Sequence, residues 1–495
     1  MRLAKVKSFF TPFRLVILLV FSFAAFVRIY RTGVILGFWY DQGRDALVIW
    51  DFLHKGKLFL VGPTTGIEGI FRGPWYYWLI TPFYLLGRGN PVWPAVFLAI
   101  SSILALYILY KLGKELEGKW TGILALFIGS FSYYVVTSSR WLSNPTPMLL
   151  VSVALIWSIF KFIRGAKWGL PLISFLCAMA VQFGSAAEIF YLPATLIVLY
   201  WKRKNLPSIK IIGFSVIIFF LAFVPQIIFD IRHRGVLLGA INKFLFEEKS
   251  FSLSFWQILQ SRSYFYYKML SSKFWINGEG LFAPFFVLCL YALVKNINKL
   301  WQNPNFRVLT LFTLAPFVGM LFFQGNRGNV YEYYFTGYYL IFILFFSYLL
   351  VVLAKSVLGK AVLFCFLAVF VFLNSKDVSK YLATNVNEPT AVFLGNQKMA
   401  LDWIYKDVGQ DPFNVDVYVP PVIPYAYDYL FNWLGSGKYD RVPDRELVGN
   451  LYTIYEVDIP HPERLDAWLN RQIKIGRVIK EERFGGIIVQ RRMRF

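Results

Sequence analysis

The sequence predicts an α-helical polytopic membrane protein of about eleven spans, closed by a small soluble α/β domain. Three observations predict it. Hydrophobic residues make up 57% of the 495 residues and mean hydropathy is +0.52, too apolar for a water-soluble globule. Runs long enough for a membrane helix, which needs about 20 apolar residues, recur up to residue 375. From Lys376 onward those runs stop and the charges balance, with 16 basic and 16 acidic residues.

The N-terminus, MRLAKVKSFFTPFR, has the basic start of a signal peptide. The apolar run behind it is long, has no small-residue cleavage site and precedes many further spans, so it reads as a retained first helix. The expected spans are 14–32, 92–111, 120–138, 146–162, 168–184, 186–201, 209–228, 281–295, 307–324, 335–354 and 360–375. Basic residues mark alternate connections, among them Lys111 and Lys114, Lys161 and Arg164, Lys202 to Lys204, Lys295 and Lys299, and Lys355. The positive-inside rule then puts the N-terminus in the cytoplasm and the tail outside, in a multi-pass protein of the plasma (cell) membrane. This distribution also accounts for the net charge of +23, all of which lies before Lys376. No basic soluble patch or recognition motif points to nucleic acid. Of the carboxylates before the tail, only Glu115 and Glu117 fall in the cytoplasmic connections, and the rest gather on the outer side. Cys177, Cys289 and Cys365 all lie in apolar runs and read as small core residues.

Two outer loops are long, 33–91 and 229–280. In the first, GPWYYWLITPFYLLG is too short and aromatic for a span and reads as an interfacial helix, with Trp75, Tyr76, Tyr77 and Trp78 in the headgroup layer. The chain thus divides into a transmembrane domain, 1–375, and a soluble extracytoplasmic domain, 376–495. In the latter KMALDWIYKDVG and HPERLDAWLNRQI have helical periodicity, the second with Pro462 in its first turn. NVDVYVP, LYTIYEVD and FGGIIVQRR alternate like half-buried strands.

Asp41 and Asp45 are four residues apart, so on a helix both carboxylates share one face. A carboxylate at a membrane surface suits acceptance of a proton from an attacking hydroxyl; a solvated loop with Arg44 as a local ion partner is the plainer alternative. Arg72 in FRGPW suits a bidentate phosphate contact, or equally ordinary snorkelling to headgroups. Arg140 is a phosphate or acceptor candidate, whereas Asn144 reads as a cap of the next helix. Asp230, Arg232 and His233 end an outward helix with charge that opposes the positive-inside trend, which favours substrate contact over metal binding. Arg327 and Glu332 follow by the same logic, and Glu188 is a buried-pair or pocket residue. No P-loop, GxGxxG, HExxH or GxSxG element is present, so the sequence calls for neither a nucleotide nor a metal, and no cofactor is expected.

This layout resembles the GT-C multi-spanning glycosyltransferases, in particular the family 39 type that includes protein O-mannosyltransferases and aminoarabinose transferases. The residues that carry the resemblance are Asp41-Gln42 after the first span and Arg72-Gly73-Pro74-Trp75 later in the loop. Two positions depart from the pattern: Gln42 replaces the second acid of an Asp-Glu pair, and Asn144 stands where related transferases often have aspartate. The resemblance implies transfer of a sugar from a polyprenyl-phosphate donor to a hydroxyl of a glycan, lipid or protein acceptor on the outer face. Asp41, or Asp45 in place of the missing acid, would be the base, and Arg72, Arg140 or Arg232 would neutralise the departing phosphate. A flippase or transporter is the main alternative, but it would be expected to carry ionisable groups at mid-membrane depth, and the middles of these spans are largely uncharged. A GT-C-fold glycan polymerase or ligase shares the surface site with a different donor.

Overall fold

The computed structural model describes residues 12–247, 254–323, 325, 328–420 and 423–495. All eleven apolar segments are helical. Among the described residues, five helices are long and apolar enough to cross a membrane alone, and up to seven if each of two bent pairs forms one span. The bent pairs are Lys119–Phe131 with Tyr133–Ser139, at 67°, and Ile209–Leu221 with Val224–Arg232, at 49°. Met148–Ile163, Gly169–Phe183 and Ala187–Trp201 are shorter than a full crossing. The first of these is buried almost throughout, so protein rather than lipid surrounds it.

The second bend has a visible cause. Pro225 has no N–H to donate, so the carbonyl of Leu221, four residues before it, loses its helical partner, and the ladder breaks at Ala222 and Phe223. Trp75 Nε1 (2.7 Å) and Gln182 Nε2 (3.1 Å) donate to the Ala222 carbonyl at the break.

The connections gather at two opposite ends. At one, Glu115 pairs with Lys161 (2.6 Å) and Arg164 (2.9 Å), Glu117 with Lys355, and Asn303 donates to the carbonyl of Leu116 (3.0 Å). At the other, Arg140 reaches Tyr30 and Tyr381, Asn144 reaches Phe183, and Gly337 reaches Glu188. Alternate loops therefore share an end, as the alternation of basic clusters requires. The interior between them is aromatic and aliphatic; of the three cysteines, Cys177 and Cys289 are buried there, whereas Cys365 is exposed on a helix rim.

Beyond the Val357–Leu382 helix the chain forms a four-stranded sheet, β1 (Phe413–Tyr418), β2 (Asn450–Glu456), β3 (Gly476–Phe484) and β4 (Ile487–Arg494), in the order β1-β2-β4-β3. The β1–β2 pair is parallel and the other two pairs are antiparallel. The parallel pair needs a crossover, supplied by the helix Tyr425–Leu434. Helices Leu394–Val408 and Pro462–Ile473 complete the module.

The module is seated on the first long loop. Leu394 N donates to the carbonyl of Leu36 (2.9 Å), Gln397 Nε2 to that of Phe38 (2.9 Å) and Trp433 Nε1 to that of Arg88 (2.9 Å). Trp39 Nε1 returns a bond to the carbonyl of Val392 (3.1 Å). The crossover helix also lies directly on the Tyr40–Lys55 helix: a Cβ added at Gly43 would stand 2.3 Å from Ala426 N. Only a glycine admits that approach.

Candidate functional site

The Tyr40–Lys55 helix carries both loop aspartates. Its buried positions Gln42, Asp45, Ala46 and Ile49 follow helical spacing, so Asp45 turns inward while Asp41, in the first turn, stays at the edge. Gln42 is also buried, and its Oε1 accepts from Trp39 N (3.2 Å), closing the start of the helix. The departure from an acidic pair is thus filled by a residue with a capping task.

Arg44 joins the two carboxylates. Its Nη1 lies 2.9 Å from Asp41 Oδ1, while Nη2 (2.8 Å) and Nε (3.0 Å) donate to Asp45 Oδ1. Tyr77 Oη donates to the same Asp45 oxygen (2.9 Å). The Asp41 side chain is 54% exposed, whereas that of Asp45 is 6% exposed. Burial pushes the Asp45 carboxyl up to about 6, against the opposing pull of Arg44 and Tyr77. The shared face predicted for the pair is therefore divided by the guanidinium: Asp41 is open to solvent, and Asp45 is closed off as the anchor of Arg44.

Arg44 also lines a cavity of about 470 Å³. Its lining mixes apolar side chains, among them Val48, Leu58, Phe59 and Phe71, with the polar Arg44, Thr64, Tyr77, Arg232 and His233; the Phe59 and Tyr77 rings meet edge-on at 5.3 Å. Residues 62–73 form its wall as a tight hairpin, with Gly62 N donating to the Arg72 carbonyl (2.8 Å) and Arg72 N to that of Pro63 (3.1 Å). This hairpin fixes Arg72 behind Thr64, where Nη1 donates to the Thr64 carbonyl (2.8 Å) and Nε to that of Gly184 (2.9 Å). The interfacial helix is present as Trp75–Leu86, but its aromatic residues divide. Tyr76 and Tyr77 face the protein interior, and Trp78 stays exposed.

The structure gathers some of the remaining candidates and disperses others. Arg232 and His233 meet Arg44 at the cavity, the His233 ring stacked on Phe229 at 4.1 Å. Asp230 does not line it: Oδ1 accepts from Leu237 N (2.7 Å) and Leu238 N (3.3 Å), capping the next helix. Arg140 is buried and donates to the carbonyls of Val27 and Tyr30 (2.9 Å each) and to Tyr381 Oη (3.2 Å), so it ties off the first helix rather than reaching the cavity. Asn144 does cap a helix, though not the one that follows it, donating to the carbonyl of Phe183 (2.8 Å). Arg327 lies outside the described residues. Glu188 accepts from Gly337 N (2.7 Å) and Ser185 N (2.8 Å) and so holds the turn that begins at Glu332.

Glu332 has a partner that sequence reasoning passed over. Lys273 Nζ lies 3.2 Å from Glu332 Oε2, and 3.1 Å and 4.1 Å from the ring centroids of Tyr134 and Tyr339. Its side chain has no exposed area, and burial pushes the ammonium down to about 7 despite Glu332. The signal was available: Lys273 is a cation in an outer loop, against the positive-inside trend, the same criterion that selected Arg232.

Residues 72–229 match the family described as dolichyl-phosphate-mannose-protein mannosyltransferase. No curated protein matches the sequence. The fold is similar to that of ArnT from Cupriavidus metallidurans bound to undecaprenyl phosphate, with a TM-score of 0.58 and 11% identity over 97% of this chain and 98% of that one. The apo state of ArnT gives the same TM-score and identity, 0.58 and 11%, over 97% of each chain. An oligosaccharyltransferase of Archaeoglobus fulgidus, in complex with Zn and sulfate, is similar at a TM-score of 0.50 and 12% identity, over 93% of this chain and 71% of that one. The fold is GT-C, and the likeness runs through the C-terminal module as well as the helices.

Proposed function

We propose that this GT-C-fold membrane protein is a glycosyltransferase that moves a sugar from a polyprenyl-phosphate donor to an acceptor hydroxyl at the outer face of the membrane. The observation that carries the reading is the cavity: apolar side chains for an isoprenoid stem and guanidinium and imidazole groups for a phosphate line the same space, and Arg44 links it to the open carboxylate of Asp41. The match to a mannosyltransferase family and the ArnT fold, seen there with undecaprenyl phosphate, support the same class of donor.

In this mechanism the acceptor oxygen attacks the anomeric carbon as the bond from that carbon to the phosphate oxygen breaks. The hydroxyl proton passes to Asp41, and polyprenyl phosphate leaves with the bonding electrons. Arg44 and Arg232 meet the negative charge that grows on the leaving oxygen, with Arg72 behind them. One displacement inverts the anomeric configuration. The polar lining, the apolar lining and the base thus each have a separate task.

The direct test is reconstitution in vesicles with a radiolabelled polyprenyl-phosphate sugar. Protein-dependent release of polyprenyl phosphate is expected; a chain inert towards mannosyl, glucosyl and aminoarabinosyl donors alike would sink the reading. Arg232→Ala should raise KM for the donor about tenfold or more, since a charge-assisted contact is worth ~1.5–3 kcal/mol. An unchanged donor KM would remove Arg232 from the phosphate site.

The pH profile supplies a further check. Asp45 must be ionised to hold Arg44 from both nitrogens, and burial has moved its carboxyl up to about 6. As pH falls through that value the carboxylate is protonated and Arg44 loses its anchor, so activity should climb through about pH 6 in the wild type. Asp45→Asn should lower the plateau and lose that limb. A limb that persists unchanged in Asp45→Asn would assign the titration to another group.

A further inference from the structure

The turn that carries Asp41 is flanked by aromatic rings from both halves of the chain. Tyr40 precedes Asp41, and Tyr425 of the crossover helix lies with its ring centroid 5.0 Å from that of Tyr40, the planes inclined at 58°. Neither ring is buried, and the two pack on one another as an aromatic ledge in the turn that carries the exposed Asp41 carboxylate. On the other side of Tyr40, the Arg44 guanidinium lies 6.0 Å from the ring centroid while lining the cavity. Asp41 therefore shares its turn with an aromatic ledge and is tied through Arg44 to a cavity with cationic groups. The relation of Tyr425 to Asp41 is fixed, because Gly43 lets the backbone at Tyr425 and Ala426 rest against the helix.

We infer that Tyr40 and Tyr425 form the acceptor subsite and that the acceptor it takes is a saccharide. Aromatic rings at an angle offer one face for the C–H side of a pyranose and an edge for a second contact, while phenol, carboxylate and guanidinium groups satisfy vicinal hydroxyls. The C-terminal module thus completes the site rather than merely covering it. The inference rests on Asp41 lying at the reaction centre, as proposed above.

The experiment is saturation-transfer NMR on the full chain in lipid nanodiscs, with cellotetraose, maltotetraose and α-1,6-mannotetraose as probes. Saturation of the protein's aromatic protons is expected to transfer to at least one probe. Tyr425→Ala should weaken its binding about tenfold, the ~1–1.5 kcal/mol of one stacking contact, while Tyr425→Phe keeps it. A melting temperature and protease resistance like those of the wild type in Tyr425→Ala separate loss of the ring from loss of docking. Transfer to none of the three probes, binding that Tyr425→Ala leaves intact, or capture of a Ser/Thr-rich peptide in preference to all three overturns the inference. Asp41→Asn keeps the two readings apart, since it should abolish sugar transfer but retain probe binding. If Asp41→Asn still transfers sugar while Tyr425→Ala loses the probe, the base assignment fails and the subsite stands.

Discussion

Asp41→Asn is expected to lower sugar transfer in reconstituted vesicles by ~10²–10⁴-fold, the usual worth of a positioned general base. The change is nearly isosteric, and an amide oxygen still accepts from Arg44 Nη1, so the first turn of the helix keeps its shape. What is lost is the ability to take a proton. Asp41 is the member of the pair with an open carboxylate, at 54% exposure against 6% for Asp45, which already has three donors on one oxygen. Donor KM should therefore stay near the wild-type value while kcat falls. A variant that turned over at the wild-type rate would remove Asp41 from the chemistry and leave Asp45, exposed by movement of Arg44, as the remaining carboxylate.

The second large effect is expected at Gly43, which touches no substrate in the proposed mechanism. A methyl group there would lie 2.3 Å from Ala426 N and 2.5 Å from both Ala426 Cα and Tyr425 C. These are backbone atoms, so no rotamer relieves the clash. In an isolated helix Gly→Ala is favourable by ~1 kcal/mol, so propensity alone predicts stabilisation. The contact predicts the reverse, with overpacking that costs ~1–3 kcal/mol and separates the module from the helix. Limited proteinase K digestion should then cleave between residues 383 and 393 in Gly43→Ala and not in the wild type, and transfer should fall by about tenfold or more. Wild-type proteolysis together with wild-type activity would show that the two helices accommodate the methyl group without parting.

Much of the helical layer was legible because lipid imposes one rule on every span. All eleven apolar segments form helices, and the basic clusters share an end. Helix length was less legible: a run such as Met148–Ile163 is apolar whether lipid or neighbouring helices surround it, and here it is neighbouring helices. In the module, β1, β2 and β4 fall in the runs that read as strands, although their burial is nearly continuous rather than alternating, whereas β3 is an exposed, charged edge strand that the sequence does not mark. Among site residues, Asp41 and Arg232 were visible as charges in unexpected places. Arg140 and Asp230 satisfied the same criterion for a different reason, since unpaired carbonyls and N–H groups at helix ends also attract charge. The role of Gly43 and the placement of Tyr425 depend on a contact between residues nearly 400 positions apart, which periodicity does not encode.

That long-range seat also sets an order of events during biogenesis. The Tyr40–Lys55 helix leaves the ribosome early, whereas its partner helix Tyr425–Leu434 and the strands β2 to β4 that support it come last. At roughly 5–20 residues per second, the intervening stretch takes on the order of 20–80 s to synthesise. Throughout that interval the helices can insert and the Asp41–Arg44–Asp45 constellation can form locally, but Gly43 and Tyr40 face water with nothing against them. A nascent chain is therefore a membrane protein before it is an assembled site, and the last steps of translation, rather than insertion, complete it.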